Sequence, residues 1–234
     1  MGREMGSKNL LLYDLEGNTI TLAKMRELIA NFSYKKATQE IIEKSIGLEK
    51  DGEVFATCTA RILSNFGMNR GGPFKSVGIA RNGKVNGKEI LLKCWNEIGD
   101  DLLEIRKSVP HSGFPRDRYL LELSKPERER LIAKIWRMTK RLLPLTMGET
   151  SYGLVGASKI LFAVLPEVVL PIDSKQWLKV FNTVDLGDVI NRMVADIQEW
   201  EDETHLKLNE MDHSRMLTTL PSVYNVMAMH ARPR

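Results

Sequence analysis

The sequence predicts a mainly α-helical, multi-helix globular protein. Three observations predict it. Apolar residues recur at three- and four-residue spacing through most of the chain. Residues that start and stop helices stand at the ends of these runs. Strand-like patterning is nearly confined to one glycine-rich, basic segment near residues 67–88, read as a loop or a short β-hairpin. At 234 residues the chain can bury a large core. The reading is one helical domain over 1–234, or, divided further, two helical lobes over about 20–123 and 124–234.

Each helix has its own justification. Thr21 to Asn31 places Leu22, Met25, Leu28 and Ile29 on one face, and Tyr34 to Ile46 repeats the pattern, with Gly47 suited to a C-terminal cap. Glu53 to Phe66 carries Val54, Phe55, Cys58, Ile62 and Leu63 and stops at Gly67. Glu89 to Arg106 has a broad apolar stripe from Ile90 to Ile105. Ser124-Lys-Pro-Glu127 is a capping box opening a helix to about Leu143, where Pro144 ends it; Lys134, Arg137, Lys140 and Arg141 make much of its outer face basic. Ala157 to Leu165 is helical and stopped by Pro166; Val168 to Ile172 runs extended, with a strand expected at Val168 to Leu170; Asp173-Ser-Lys-Gln176 is a second capping box. A long helix follows at about Leu186 to Leu208, and a short one at Pro221 to His230.

The exception is Gly67 to Lys88. Glycines expose backbone amides there, Asn82-Gly83 is a hairpin-turn signal, and Val77 to Ala80 reads as a short strand with a partner near Val85. Arg70, Lys75, Arg81, Lys84 and Lys88 stand in it without an acid. The net charge is only +4, but the chain is polarised: basic in its first two-thirds, acidic from Asp185 to Asp212. Arg70, Lys75, Arg81 and Lys84 are therefore expected to meet a polyanion, a nucleic acid, most simply DNA. The plainer reading is a solvated surface.

Other classes are disfavoured. No apolar run reaches the about 18 residues of a membrane span. The segment Met1 to Asn18 has no signal-peptide core, which makes the expected location cytoplasmic. Cys58 and Cys94 are far apart in helical patterns and read as buried thiols. His111, His205, His213 and His230 make no metal-binding spacing, so neither a metal nor another cofactor is expected.

Two ionisable residues flank the most apolar stretch, Gly153 to Trp177: Lys159 near its start and Asp173 near its end. Gly153-Leu-Val-Gly156, Lys159, an apolar helix, Pro166 and Pro171-Ile-Asp173 stand in an order that resembles the helix-hairpin-helix DNA glycosylase superfamily over Met147 to Phe181. A similar Ser-Lys…Pro…Pro-Ile…Asp pattern runs through a group of uncharacterised helical proteins. The resemblance implies that Gly153 and Gly156 form a hairpin whose amides hold a DNA phosphate, that Lys159 attacks the sugar as a Schiff-base nucleophile or contacts phosphate, and that Asp173 stabilises cationic character at the sugar or activates the nucleophile. It also implies a flipped base, for which Phe74, Trp95, Trp136 and Trp177 are stacking candidates. Lys175, beside Asp173, joins the expected nucleic-acid contacts.

The plainer reading makes Lys159 an exposed first-turn residue and Asp173 only a cap. Val168 to Lys175 is also similar to the metal-binding half of PD-(D/E)xK nucleases, with Asp173, Lys175 and a further carboxylate from Glu149 or Glu167. A third alternative is a non-catalytic helical interaction protein that uses the methionine-rich Met216 to Met229 as a partner surface. The oligomeric state is not legible in the sequence.

Overall fold

The computed structural model describes residues 9–13, 18–174 and 176–231. The leader reading falls largely, and the Lys175 reading wholly, outside them. In chain order the elements are β1 (Asn9–Tyr13), β2 (Thr19–Thr21), α1 (Leu22–Ala30), α2 (Lys35–Lys44), α3 (Glu53–Asn65), β3 (Gly78–Ile79), β4 (Val85–Asn86), α4 (Lys88–Ser108), α5 (Gly113–Asp117), α6 (Tyr119–Glu122), α7 (Lys125–Leu142), α8 (Ser151–Val164), α9 (Leu186–Thr204) and α10 (Leu220–His230). Among the described residues helix predominates and strand is confined to two short pairs, which makes the fold mainly α.

The caps work as local chemistry dictates. Thr21 Oγ1 accepts from the Lys24 amide at 3.2 Å and opens α1. The Ser124 amide donates to Glu127 Oε2 at 2.9 Å in the box that opens α7. Hydrogen bonds from the Ser124 hydroxyl and from its amide hold the Glu127 carboxyl below its usual range. Gly67 adopts φ +67 just beyond α3, a conformation that costs glycine little.

Several boundaries differ from the sequence reading. Gly47 does not cap α2; the chain tightens into a 3₁₀ turn, Ser45–Gly47. The last long helix ends at Thr204 rather than Leu208, because His205 turns left-handed at φ 58 while its amide still reaches Glu201 O at 2.8 Å. Val168 to Leu170 is not a strand: it is a turn and extended chain, wholly buried. The antiparallel pair β1–β2, with Leu10 opposite Ile20, was not anticipated. The glycine-rich segment contains the antiparallel pair β3–β4, with Ile79 opposite Val85.

The core is built around α8. Every residue from Gly153 to Val164 is buried, and the helix packs on α2, α3 and α7. Leu220 to Ala228 of α10 is likewise buried, so the greater part of the methionine-rich segment is core rather than a partner surface. Cys58 and Cys94 are buried free thiols, each pushed up to about 12 chiefly by desolvation, which leaves them unreactive.

One buried ionic cluster fixes the chain just beyond α8. Glu167, 1% exposed, accepts from Arg106 of α4 (Nη1 to Oε2 3.1 Å, Nη2 to Oε1 2.8 Å) and from Arg116 Nε of α5 at 2.5 Å. Arg106 also donates to the Val164 carbonyl at 3.0 Å, and Arg116 to Ser45 Oγ at 3.1 Å and to the Ile42 carbonyl. Elements from both halves of the chain thus converge on the segment that leads to Asp173.

Candidate active site and nucleic-acid surface

α8 begins six residues earlier than its sequence pattern suggests, and this alters the glycine pair. Thr150 Oγ1 accepts from the Gly153 amide at 3.1 Å and caps the helix, so Gly153 and Gly156 lie inside it. They do not form the hairpin that the resemblance implies, and both are buried. Their role is close approach. A Cβ on Gly153 would stand 1.9 Å from the Gly148 carbonyl oxygen, and one on Gly156 would stand 3.2 Å from Thr146 and 3.3 Å from Phe74.

The early start carries Lys159 into the middle of the helix. It is 4% exposed rather than an open first-turn residue. Its ammonium stands 5.0 Å from the centroid of the Phe66 ring, within cation–π range. Phe66 caps α3 and stacks on Tyr34, centroids 4.7 Å apart and planes 24° from parallel. Tyr34 immediately precedes α2.

Asp173 comes to the same place from the other side. Its segment leaves the C-terminal end of α8, and Ser158 Oγ donates to the Ile172 carbonyl at 3.3 Å. The reciprocal capping box forms: the Gln176 amide donates to Asp173 Oδ1 at 2.8 Å, and the Asp173 amide donates to Gln176 Oε1 at 2.7 Å. The turn so opened is a π-helical one, Gln176–Val180.

Lys159 and Asp173 therefore line one cavity, together with Tyr34, Phe66, Pro171, Gln176 and Met229. Its volume is about 160 Å³. Sequence reasoning named the two charged residues but missed the aromatic wall. Phe74, Trp95 and Trp177 are core side chains, and Trp136 is half-buried on α7. The signal that could have found Tyr34 and Phe66 is their position: each stands at a helix end beside a basic or glycine-rich stretch.

The basic segment starts one residue beyond Phe66. Phe74, 1% exposed, and Val77, 2% exposed, anchor it, and Ser64 Oγ of α3 donates to the Val77 carbonyl at 3.3 Å. Arg81 and Lys84 sit on the β3–β4 turn, closed by the Ala80 amide to Lys84 O at 2.9 Å and by Gly83 at φ 80. Arg70, Lys75, Arg81 and Lys84 are all exposed. Among the described residues none of the four is paired with an acid. Lys134 and Arg141 of α7 differ, because Asp101 and Glu104 of α4 neutralise them. Met147, an exposed apolar side chain, lies against Gly72 of this segment.

A nuclease-like arrangement finds less here. Glu167 is held between two arginines, and Glu149 is exposed. Among the described residues no group of His, Cys, Asp and Glu side chains is placed to hold a metal ion, and the sheets are two-stranded. No helix among the described residues is long and apolar enough to cross a membrane. No family model, curated protein or solved structure matches this chain.

Proposed function

We propose that the protein binds nucleic acid through Arg70, Lys75, Arg81 and Lys84 and excises a base from DNA at the Lys159–Asp173 cavity. The observation that carries this reading is the meeting of a buried lysine and a carboxylate in one cavity walled by stacked aromatic rings, one of which, Phe66, directly precedes the acid-free basic segment in the chain. A flipped base stacks well on such a wall.

In the proposed chemistry the Lys159 ammonium first gives up a proton to water, and the lone pair so freed on Nζ attacks the sugar C1′. The C1′–N bond breaks with its electron pair going to the base. The proton lost from the new ammonium neutralises the departing base; the C1′–O4′ bond then opens, O4′ keeping the electron pair and taking a proton from water, which leaves the C1′=N Schiff base that borohydride reduces. In this reading the Asp173 charge stabilises the cationic character that develops at C1′. Its capping bond uses Oδ1 and fixes the carboxylate in place.

The test is an excision assay on duplexes carrying damaged and mismatched bases. Asp173→Asn keeps an oxygen for the cap, so melting temperature and DNA affinity should hold while base release is lost. Lys159→Ala should remove the adduct that borohydride traps in the wild type. A wild type inactive across the panel, with Asp173→Ala destabilised and Asp173→Asn unchanged, would leave Asp173 as a cap alone.

A further inference from the structure

Tyr152, Gly156 and Lys159 follow one another at i, i+4 and i+7 in α8 and share one face of the helix. The basic segment runs along that face. The Phe66 ring, directly before it, is centred 5.0 Å from the Lys159 ammonium. Phe74 within it comes 3.3 Å from where a Cβ on Gly156 would stand. The Met147 sulfur lies 3.4 Å from the corresponding position on Gly72. Thr150 Oγ1 donates to the Met147 carbonyl at 2.9 Å and ties Met147 to the first turn of α8. Tyr152 therefore lies one turn beyond the Phe74 contact, at the open end of the stripe, and is 59% exposed. Among the described residues its side chain has no hydrogen bond and no ring partner.

Tyr152, Met147 and Val184 are the exposed large apolar side chains among the described residues, and the first two stand in this one turn. Charge selects what would cover them. Glu149 is the acid of the turn, and Arg70, Lys75, Arg81 and Lys84 outnumber it. An exposed ring beside cations fits a strand of unpaired nucleotides, whose bases stack on the ring while the phosphates meet Arg and Lys. A duplex keeps its base faces stacked on one another and offers the ring none. The spacing fits as well. Tyr152 and Lys159 are about 10 Å apart along the helix axis, the length of about three stacked nucleotides.

We propose that Tyr152 is a stacking platform for an unpaired base about three nucleotides from the one at the Lys159–Asp173 cavity, so that the preferred partner is single-stranded or locally unpaired DNA. This rests on the reading of the basic segment as a nucleic-acid surface, though not on catalysis.

The test is fluorescence anisotropy of the full chain with labelled oligothymidylate of about 15 nucleotides and, separately, with an undamaged duplex of the same length. Tyr152→Ala should bind the single strand about tenfold more weakly, the loss of one stacked base, at an unchanged salt slope. Its duplex affinity and melting temperature should match the wild type. Tyr152→Phe keeps the ring and should keep the single-strand affinity. Equal single-strand affinity of Tyr152→Ala and wild type would overturn the proposal and leave Tyr152 and Met147 to a protein partner. An equal loss on the duplex, or a Phe variant as weak as the Ala one, would overturn it too. If Tyr152→Ala melts early, Tyr152→Leu, apolar but without a flat ring, decides in its place. The joint Ala replacement of Arg70, Lys75, Arg81 and Lys84 separates the two readings. A silent Tyr152 beside a flattened salt dependence removes the platform and keeps the basic surface; a wild type that binds neither probe removes both. Single-strand binding that needs Tyr152 without any base release refutes the enzyme and keeps the platform.

Discussion

Replacing Glu167 by Ala should come close to unfolding the protein. The carboxylate is the shared partner of Arg106 and Arg116, each 4% exposed, through contacts of 2.5 to 3.1 Å. Removing one member of a buried pair costs about 3–5 kcal/mol, because the other charge is left uncompensated. Here two guanidinium groups lose one carboxylate, which places the loss near the top of that range. Arg106 keeps the Val164 carbonyl, and Arg116 keeps Ser45 Oγ and the Ile42 carbonyl, so the loss is not doubled. Against a total stability of about 5–15 kcal/mol, and at roughly 2–4 °C per kcal/mol for a chain of this size, the melting temperature should fall by about 10–20 °C. Thermal unfolding followed by circular dichroism measures it. A control isolates the cause: Arg106→Met, Arg116→Met and Glu167→Leu together remove all three charges and should recover much of the loss. A Glu167→Ala protein melting within about 3 °C of wild type, under 2 kcal/mol on that scale, would refute the reasoning. So would a triple variant no more stable than the single one.

Other outcomes follow from the same geometry. Replacing Arg70, Lys75, Arg81 and Lys84 together with Ala should weaken binding to any DNA sequence and flatten its salt dependence, as fluorescence anisotropy across a salt series would show; an unchanged slope would mean that the hairpin is only solvated. Gly153→Ala normally stabilises a helix interior by about 0.5–1 kcal/mol, but here its Cβ meets the Gly148 carbonyl. It should destabilise by about 1–3 kcal/mol in denaturant unfolding, and a more stable variant would contradict the close approach. Asp196 accepts from Tyr224 Oη at 2.6 Å, and burial, the largest cause, holds its carboxyl above the usual 3.8. A raised folded-state value favours the protonated form, so its stabilising contribution is full below pH 3.8 and is lost as pH rises through the folded-state value. The melting temperature of Asp196→Asn minus that of wild type should therefore increase from pH 3 towards neutrality, and a decrease would reverse the assignment.

The sequence was most informative where local chemistry decides the outcome. Thr21 and the Ser124–Glu127 box mark helix starts that the backbone obeys. It was least informative where packing overrides propensity. Gly153 and Gly156 read as a turn because glycine is a poor helix former, yet the Thr150 cap and the passing Gly148 carbonyl place them inside α8. The pair β1–β2 was missed because a short apolar patch carries little periodicity. Its register is set by contact with Thr19–Thr21, across residues that no local pattern links.

The candidate site divides along the same line. Lys159 and Asp173 stood out because charge is rare in an apolar stretch, and their separation along the chain is short enough for pattern to register. Tyr34 and Phe66 did not, because they reach the cavity only through the packing of α2 and α3 on α8. Gln176 was visible solely as a capping partner; that one end of its carboxamide remains unsatisfied is a property of burial, which sequence does not encode locally. The question of cap or catalyst at Asp173 is also recast by the geometry. The capping bond occupies Oδ1 of a residue that lines the cavity with Lys159. A cap of this kind is the sort of rigid support that a reacting carboxylate needs, so the two roles are compatible. Asp173→Asn keeps the oxygen and removes the charge, so it should preserve the fold and abolish base release.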